Sequence, residues 1–227
     1  MSQPFIECTH LSKQFKGKRQ TTQALTDINL QIERNEQILL KGRSGAGKST
    51  LINLMCGLIK PTSGTVRIDN QIINELDNSS LSNLLLNRIG IIFQSFNLLP
   101  TYNIYENIEV ALVPKGLANK EIKELILPLL EQFQLADKMH LLPSELSVGQ
   151  QQKVAIIRTL AKRPSVIFAD EPTGSVDDET AAEILQHLKH LKEQTGITLI
   201  IATHGSVPES FADRVILIEN GQIIHPQ

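Results

Sequence analysis

The chain has 227 residues, of which 41% are apolar and 20% charged, the proportions of an ordinary folded domain rather than a disordered, collagen-like or disulfide-built chain. At ~150 residues per domain, that length gives one domain with a sizeable insertion or two small ones, large enough to bury roughly 70% of its unfolded surface without a disulfide or metal. Its 22 Lys and Arg against 24 Asp and Glu leave a net charge of −2, so no basic excess marks a nucleic acid as the main partner.

Residues 5–11 and 25–32 read as strands, the second with Ile28, Leu30 and Ile32 alternating. Residues 37–41 form a short apolar run that leads into a Gly-rich loop. A helix is expected over 49–58, ended by Gly57 and Pro61. Residues 65–68, an Asp69-Asn70 turn and Ile72-Ile73 read as a hairpin, and 89–93 as another buried strand. From about 96 to 162 the pattern is helical: Leu125, Ile126, Leu129, Leu130 and Phe133 recur at three- and four-residue spacing, and Pro128 marks a kink or boundary. Strand and helix then alternate: strand 166–169, helix 179–194, strand 197–202, and a closing hairpin 214–224 around Asn220-Gly221. Strand–helix alternation at both ends argues for an α/β fold with a mostly parallel sheet, the helical middle being the insertion.

Cys8 and Cys56 fit no metal-ligand spacing and read as small buried hydrophobes. The N-terminus shows no signal-peptide pattern, and no apolar run approaches the ~18 residues of a membrane span. The expectation is a chain soluble by itself, with any spans supplied by another chain.

Gly42-Arg43-Ser44-Gly45-Ala46-Gly47-Lys48-Ser49-Thr50 fits G-x-x-x-x-G-K-[ST] without a mismatch, between a strand and a helix. The glycines let backbone N–H groups turn in on phosphate oxygens, and the helix that follows directs its positive end at them. Lys48 would reach the β- and γ-phosphates, and the Ser49 hydroxyl would ligate Mg²⁺. Such a loop needs an acidic partner. The apolar run ending in Asp170-Glu171 supplies it at the carboxyl end of a strand, where ligands bind in open α/β sheets. Asp170 would bind the metal and Glu171 would poise the attacking water. Alone, that run is an ordinary strand exit; beside the phosphate loop it is an acidic site.

Leu146-Ser147-Val148-Gly149-Gln150-Gln151-Gln152-Lys153 resembles the LSGGQ signature and basic helix of ABC-transporter ATPase subunits, and the likeness covers nearly the whole chain. In the family's order, Gln94 resembles the Q-loop, Ser175-Val176-Asp177 the D-loop and His204 the switch histidine; Phe15 sits where an aromatic residue stacks on adenine. The resemblance implies a P-loop NTPase (RecA-like) core with an antiparallel β subdomain and an inserted helical subdomain. The core would comprise 1–93 and 164–227, the helical part 94–163. It also implies a head-to-tail dimer with two ATP molecules. Each ATP would touch the phosphate loop of one subunit and Ser147, Gly149 and Gln150 of the other. Glu171 would be the general base, with Lys48 and His204 on the phosphates, Gln94 a further catalytic residue, and Ser49, Gln94 and Asp170 around Mg²⁺. Ser147 with Gln150 is also a capping-box pattern, so a helix should start there and offer free N–H groups to an anion. Val148 departs from the family's glycine, and altered turnover is the expectation.

Ile92-Phe93-Gln94-Ser95-Phe96-Asn97-Leu98-Leu99-Pro100, Tyr105-Glu106-Asn107-Ile108 and Ala169-Asp170-Glu171-Pro172-Thr173-Gly174 resemble the lipoprotein-release, macrolide-export and FtsE-type branch. That implies a chain on the cytoplasmic face of the inner membrane, held by a permease that docks near Gln94. Leu98, Leu99, Tyr102 and Tyr105 either make that contact or pack inside the insertion. FtsE-like signalling to division or cell-wall machinery and a non-transport ABC ATPase are the alternatives.

Overall fold

The computed structural model describes residues 3–17, 20–205 and 207–224. Two sheets organise it. The first is antiparallel, in the order β2-β1-β4-β5, from β1 (Ile6–Lys16), β2 (Thr21–Ile32), β4 (Ser63–Ile68) and β5 (Gln71–Ile72). The second has six strands in the order β10-β9-β3-β8-β7-β6: β3 (Gln37–Lys41), β6 (Ile89–Ile92), β7 (Val166–Asp170), β8 (Thr198–Thr203), β9 (Arg214–Glu219) and β10 (Gln222–Ile224). Only β10 runs antiparallel to its neighbour in this sheet. The helices are α1 (Lys48–Met55), α2 (Asn78–Asn87), α3 (Ile104–Glu109), α4 (Asn119–Gln132), α5 (Val148–Ala161) and α6 (Asp178–Thr195).

The central strands are apolar throughout because both faces of the second sheet are covered. Successive side chains of a strand point to opposite faces, and the burial follows that rule. Ile38, Leu40, Val166, Phe168, Ile200 and Ala202 join a core shared with α1 and the antiparallel sheet. Leu39, Ile167, Ala169, Leu199 and Ile201 join a second core with α3 to α6. The expected α/β architecture with an antiparallel sheet and inserted helices is what forms.

Two expectations need correction, and one helix was not expected. The helix expected over 49–58 ends at Met55, because Gly57 adopts a left-handed φ of 74° and breaks the repeat. Pro128 does not end its helix; α4 runs through it. Its ring lies on an exposed face, so the carbonyl it deprives of a donor is left on the solvent side. Helix α2 has no counterpart in the sequence reading. Only Leu84 is buried in it, so the amphipathic signal is weak, and its start is set by Asp77 accepting from Ser80 N at 2.7 Å.

Candidate functional site

Lys41 of β3 pairs with Thr203 of β8, and Asp170 of β7 with Ala202 of β8. Three adjacent parallel strands therefore release residues 42–50, Glu171 and His204 at one edge, the carboxyl edge where such sheets bind ligands.

Gly47 caps α1 with a left-handed φ of 108°, and a Cβ there would stand 2.7 Å from Leu25 Cδ2 and 2.8 Å from Ala24 O. Only glycine meets both demands. The Asn220-Gly221 turn braces the same loop: Gly221 N–H donates to Ala46 O at 3.0 Å, and Gly221 O accepts from Thr26 N–H at 2.8 Å. Lys48 is 6% exposed. Its Nζ donates to the loop carbonyls of Gly42 at 2.8 Å and Arg43 at 3.2 Å. The same ammonium lies 3.8 Å from Glu171 Oε1.

Asp170 accepts a hydrogen bond from Ser49, while its Oδ1 is buried with no partner among the described residues. Burial pushes its carboxyl pKa up, opposed by Ser49 and Lys48 and reinforced by Glu171. A buried carboxylate oxygen with nothing to bond, beside a hydroxyl, is a hard-oxygen set that suits Mg²⁺. The residues present thus fit the metal the sequence reading calls for. Glu171 follows at φ 51°, its N–H donating to Ala202 O at 2.9 Å. Its Oε2 is 2.6 Å from His204 Nδ1, and the Glu171 side chain is 10% exposed against 58% for His204. A nearly buried carboxylate is thus held between an ammonium and an imidazole, one oxygen to each.

Lys48, Ser49, Asp170, Glu171 and His204 are brought together. Gln94 is exposed, two residues past β6, with no side-chain hydrogen bond among the described residues. Phe15 stands 44% exposed on β1 under the Lys13 ammonium, 5.1 Å from the ring centroid. Ser147, Gly149 and Gln150 are elsewhere, and no hydrogen bond or ion pair among the described residues joins them to the loop 42–50. The capping box forms: Gln150 N–H donates to Ser147 Oγ at 3.2 Å, and Ser147 N–H to Gln150 Oε1 at 3.0 Å. The box leaves the N–H groups of Val148 and Gly149 without an acceptor inside the helix. A cavity of about 730 Å³ lined by Leu125, Leu129, Leu160 and Leu191 opens at the other, amino end of the strands. The hollow against Arg43, Ser44, Gly45 and Ala46 measures only about 240 Å³. Lys48, Asp170, Glu171 and His204 lie outside both linings.

The signature's demand for glycine falls on one position. A Cβ on Gly149 would sit 2.8 Å from Thr180 Cγ2, on the first turn of α6. Val148 is the first helical residue and is 49% exposed. Gly149→Ala is expected to lower the melting temperature by roughly 2–4 °C, the effect of about 1 kcal/mol in a chain of this size. Val148→Gly is expected to shift it by less and to change turnover instead. Thermal melting and steady-state ATPase assays on the two variants check both. Gln152 was not singled out from the sequence. It is 1% exposed, and its Nε2 donates to Pro172 O at 2.8 Å. A glutamine inside a helix gives no local signal of such a partner.

Residues 25–174 match the family described as ABC transporter. The chain is 38% identical over 222 residues to the uncharacterized ABC transporter ATP-binding protein MJ0796 of Methanocaldococcus jannaschii, covering 96% of this chain and 94% of that one. A solved structure of that ATP-binding cassette, a post-hydrolysis dimer bound to ADP and Pi, superposes with a TM-score of 0.91 at 36% identity over 97% of each chain. The chain is also 40% identical to the methionine import ATP-binding protein MetN 4 of Oceanobacillus iheyensis, over 96% of this chain and 64% of that protein. It is 39% identical to the macrolide export ATP-binding/permease protein MacB 2 of Aeromonas hydrophila, over 98% of this chain and 34% of that protein.

Proposed function

Because this chain belongs to the ABC transporter family of ATP-hydrolysing subunits, we propose that it energises a membrane permease that exports a substrate or extracts one from the inner membrane. The observation that carries the chemistry is the grouping of Glu171 with His204 at 2.6 Å and Lys48 at 3.8 Å, beside the unpartnered Asp170 oxygen. Lys48 exchanges the carbonyls of Gly42 and Arg43 for the β- and γ-phosphates, and the N–H groups of residues 43–49 cradle them. Phe15, already exposed, takes the adenine face. Ser49, Asp170 and Gln94 would hold Mg²⁺, which would supply Lewis-acid polarisation of the γ-phosphoryl group. Glu171 accepts a proton from the attacking water, and His204, freed from Glu171, contacts the γ-phosphate. Ser147, Gly149 and Gln150 of a second copy complete the site from the other side. The dimeric cassette with which this chain superposes supports that arrangement.

Among the described residues, no helix is long and apolar enough to cross a membrane, so the proposed attachment runs through the partner chain. The segment after Gln94 is built as a platform. Asn107 is buried; its Nδ2 donates to Leu99 O at 3.1 Å and Tyr102 O at 2.7 Å, and its Oδ1 accepts from Leu99 N–H at 2.7 Å. Arg158 holds the carbonyls of Phe96 and Asn97, each at 2.7 Å. On this platform Leu98 and Tyr105 pack inward, while Leu99 is 39% and Tyr102 43% exposed. Their exposure supports Leu99 and Tyr102 as the permease contact. The export direction rests on the segments that resemble the macrolide-export branch.

The test is affinity capture from native membranes with ATP and Mg²⁺ present, followed by mass spectrometry. A multi-span membrane protein should co-purify, and its companions separate export from cell-wall signalling. Joint replacement of Leu99 and Tyr102 by Ser should cut its recovery about tenfold or more while leaving ATP binding intact. Recovery of ribosomes or DNA-processing proteins without a membrane chain would overturn the proposal.

A further inference from the structure

Glu171 is followed by a tight turn. Gly174 N–H donates to Glu171 O at 3.1 Å, and Glu171 itself is held in the left-handed region at φ 51°. The second residue of this turn is Pro172, and its carbonyl accepts the Gln152 Nε2–H at 2.8 Å. Gln152 is on α5, more than a turn beyond Ser147, which caps that helix. Two further contacts tie the start of α5 to α6: Gly149 against Thr180, and Lys153 Nζ bonded to Glu183 Oε2 at 2.5 Å. Gln152 alone among these three reaches the turn that carries Glu171.

Stability does not explain a glutamine here. The residue is 1% exposed, and its Oε1 is buried without a partner among the described residues. A half-satisfied buried amide is worse than an apolar residue of the same shape, because the orphaned acceptor has lost its water for nothing. What the amide contributes is direction: one N–H placed on one carbonyl, next to a backbone conformation that an L residue adopts at a cost.

We propose that Gln152 is a positioning residue for hydrolysis. Through the Pro172 carbonyl it holds the 171–174 turn, and so the Glu171 carboxylate, at the distance from which it takes the proton of the attacking water. It also joins the Glu171 turn to the helix that opens at Ser147, so displacement of that helix by a nucleotide on the neighbouring copy shifts Glu171 of the same chain. The inference rests on the reading of Glu171 as the base. Displacement of a catalytic group by about 1 Å costs on the order of 10²-fold in rate.

The experiment compares wild type, Gln152→Leu, Gln152→Met, Lys153→Met, Glu171→Gln and the Gln152→Leu/Glu171→Gln double variant by steady-state and single-turnover ATP hydrolysis, nucleotide binding and thermal melting. Both Gln152 variants should lose about tenfold or more in kcat with KM within about threefold, the pattern of an interaction made in the transition state. Lys153→Met, which loosens the same helix without touching the turn, should stay within about twofold of wild type. In the Glu171→Gln background the Gln152→Leu effect should vanish, because the group it positions has lost its basicity. Wild-type kcat in a folded Gln152 variant, or an undiminished loss in the Glu171→Gln background, would overturn the proposal. So would an equal loss in Lys153→Met, which would make the effect one of general loosening. Failure of the underlying reading shows separately, as Glu171→Gln turning over at the wild-type rate.

Discussion

Glu171→Gln is expected to reduce ATP hydrolysis by about 10²–10⁴-fold, the contribution of a general base, with ATP binding retained. Glutamine keeps the shape of the side chain and a bond to His204 but has no basic oxygen for the proton of water. The substitution also removes a negative charge 3.8 Å from Lys48, in the place where the γ-phosphate's charge must be accommodated. Binding should therefore tighten rather than weaken. With hydrolysis blocked and ATP bound, two copies should remain together. Light scattering with ATP and Mg²⁺ should show twice the chain mass for Glu171→Gln, against a single-chain mass without nucleotide. A variant that hydrolyses at the wild-type rate would remove Glu171 from the mechanism and leave His204 as the nearest candidate.

Asp170→Asn should act in opposite directions on stability and activity. Burial raises the Asp170 pKa, so the folded chain disfavours its ionised form relative to the unfolded chain. A group raised in this way contributes stability that is present below its unfolded value and lost as pH rises through the folded one. The amide cannot ionise and avoids that loss. At neutral pH the nucleotide-free variant should therefore melt above wild type. The gap should close as the pH is lowered toward the ordinary carboxylate value of 3.8. Activity should fall at least ~10²-fold, because the variant lacks the anionic oxygen offered to the metal. Added ATP and Mg²⁺ should raise the melting temperature of wild type far more than that of Asp170→Asn. Equal stabilisation of the two would show that Asp170 holds no metal, and its orphaned oxygen would then need another explanation.

Much of this molecule was legible in the chain because the deciding interactions lie within a few residues. The turn at Asn220-Gly221 has φ of 49° and 75°, the conformation that Asn-Gly favours by itself. Residues 37–41 form a strand with the bounds expected, because both of its faces need apolar side chains. The Ser147–Gln150 box is a reciprocal bond across three residues and needs no distant partner. The phosphate loop, the acidic strand end and the signature were all readable as ordered residue types.

Tertiary structure decided what depends on residues far apart in the chain. Glu171 meets His204 only because β7 and β8 are neighbours in the sheet. Leu98 and Leu99 are adjacent and chemically identical, yet one packs inward and the other stays exposed, since Asn107 and Arg158 set the path of the loop between them and α3. Pro128 is a breaker by local rule, but it stands on a helix face turned to solvent and the helix continues through it. Gly149 is required by Thr180 on another helix, and Gln152 is aimed at a carbonyl twenty residues away. Local sequence carries backbone preference and apolar period. Which side chain a buried polar group meets, and which of two equal apolar residues is hidden, is set by packing that closes only when distant segments come together.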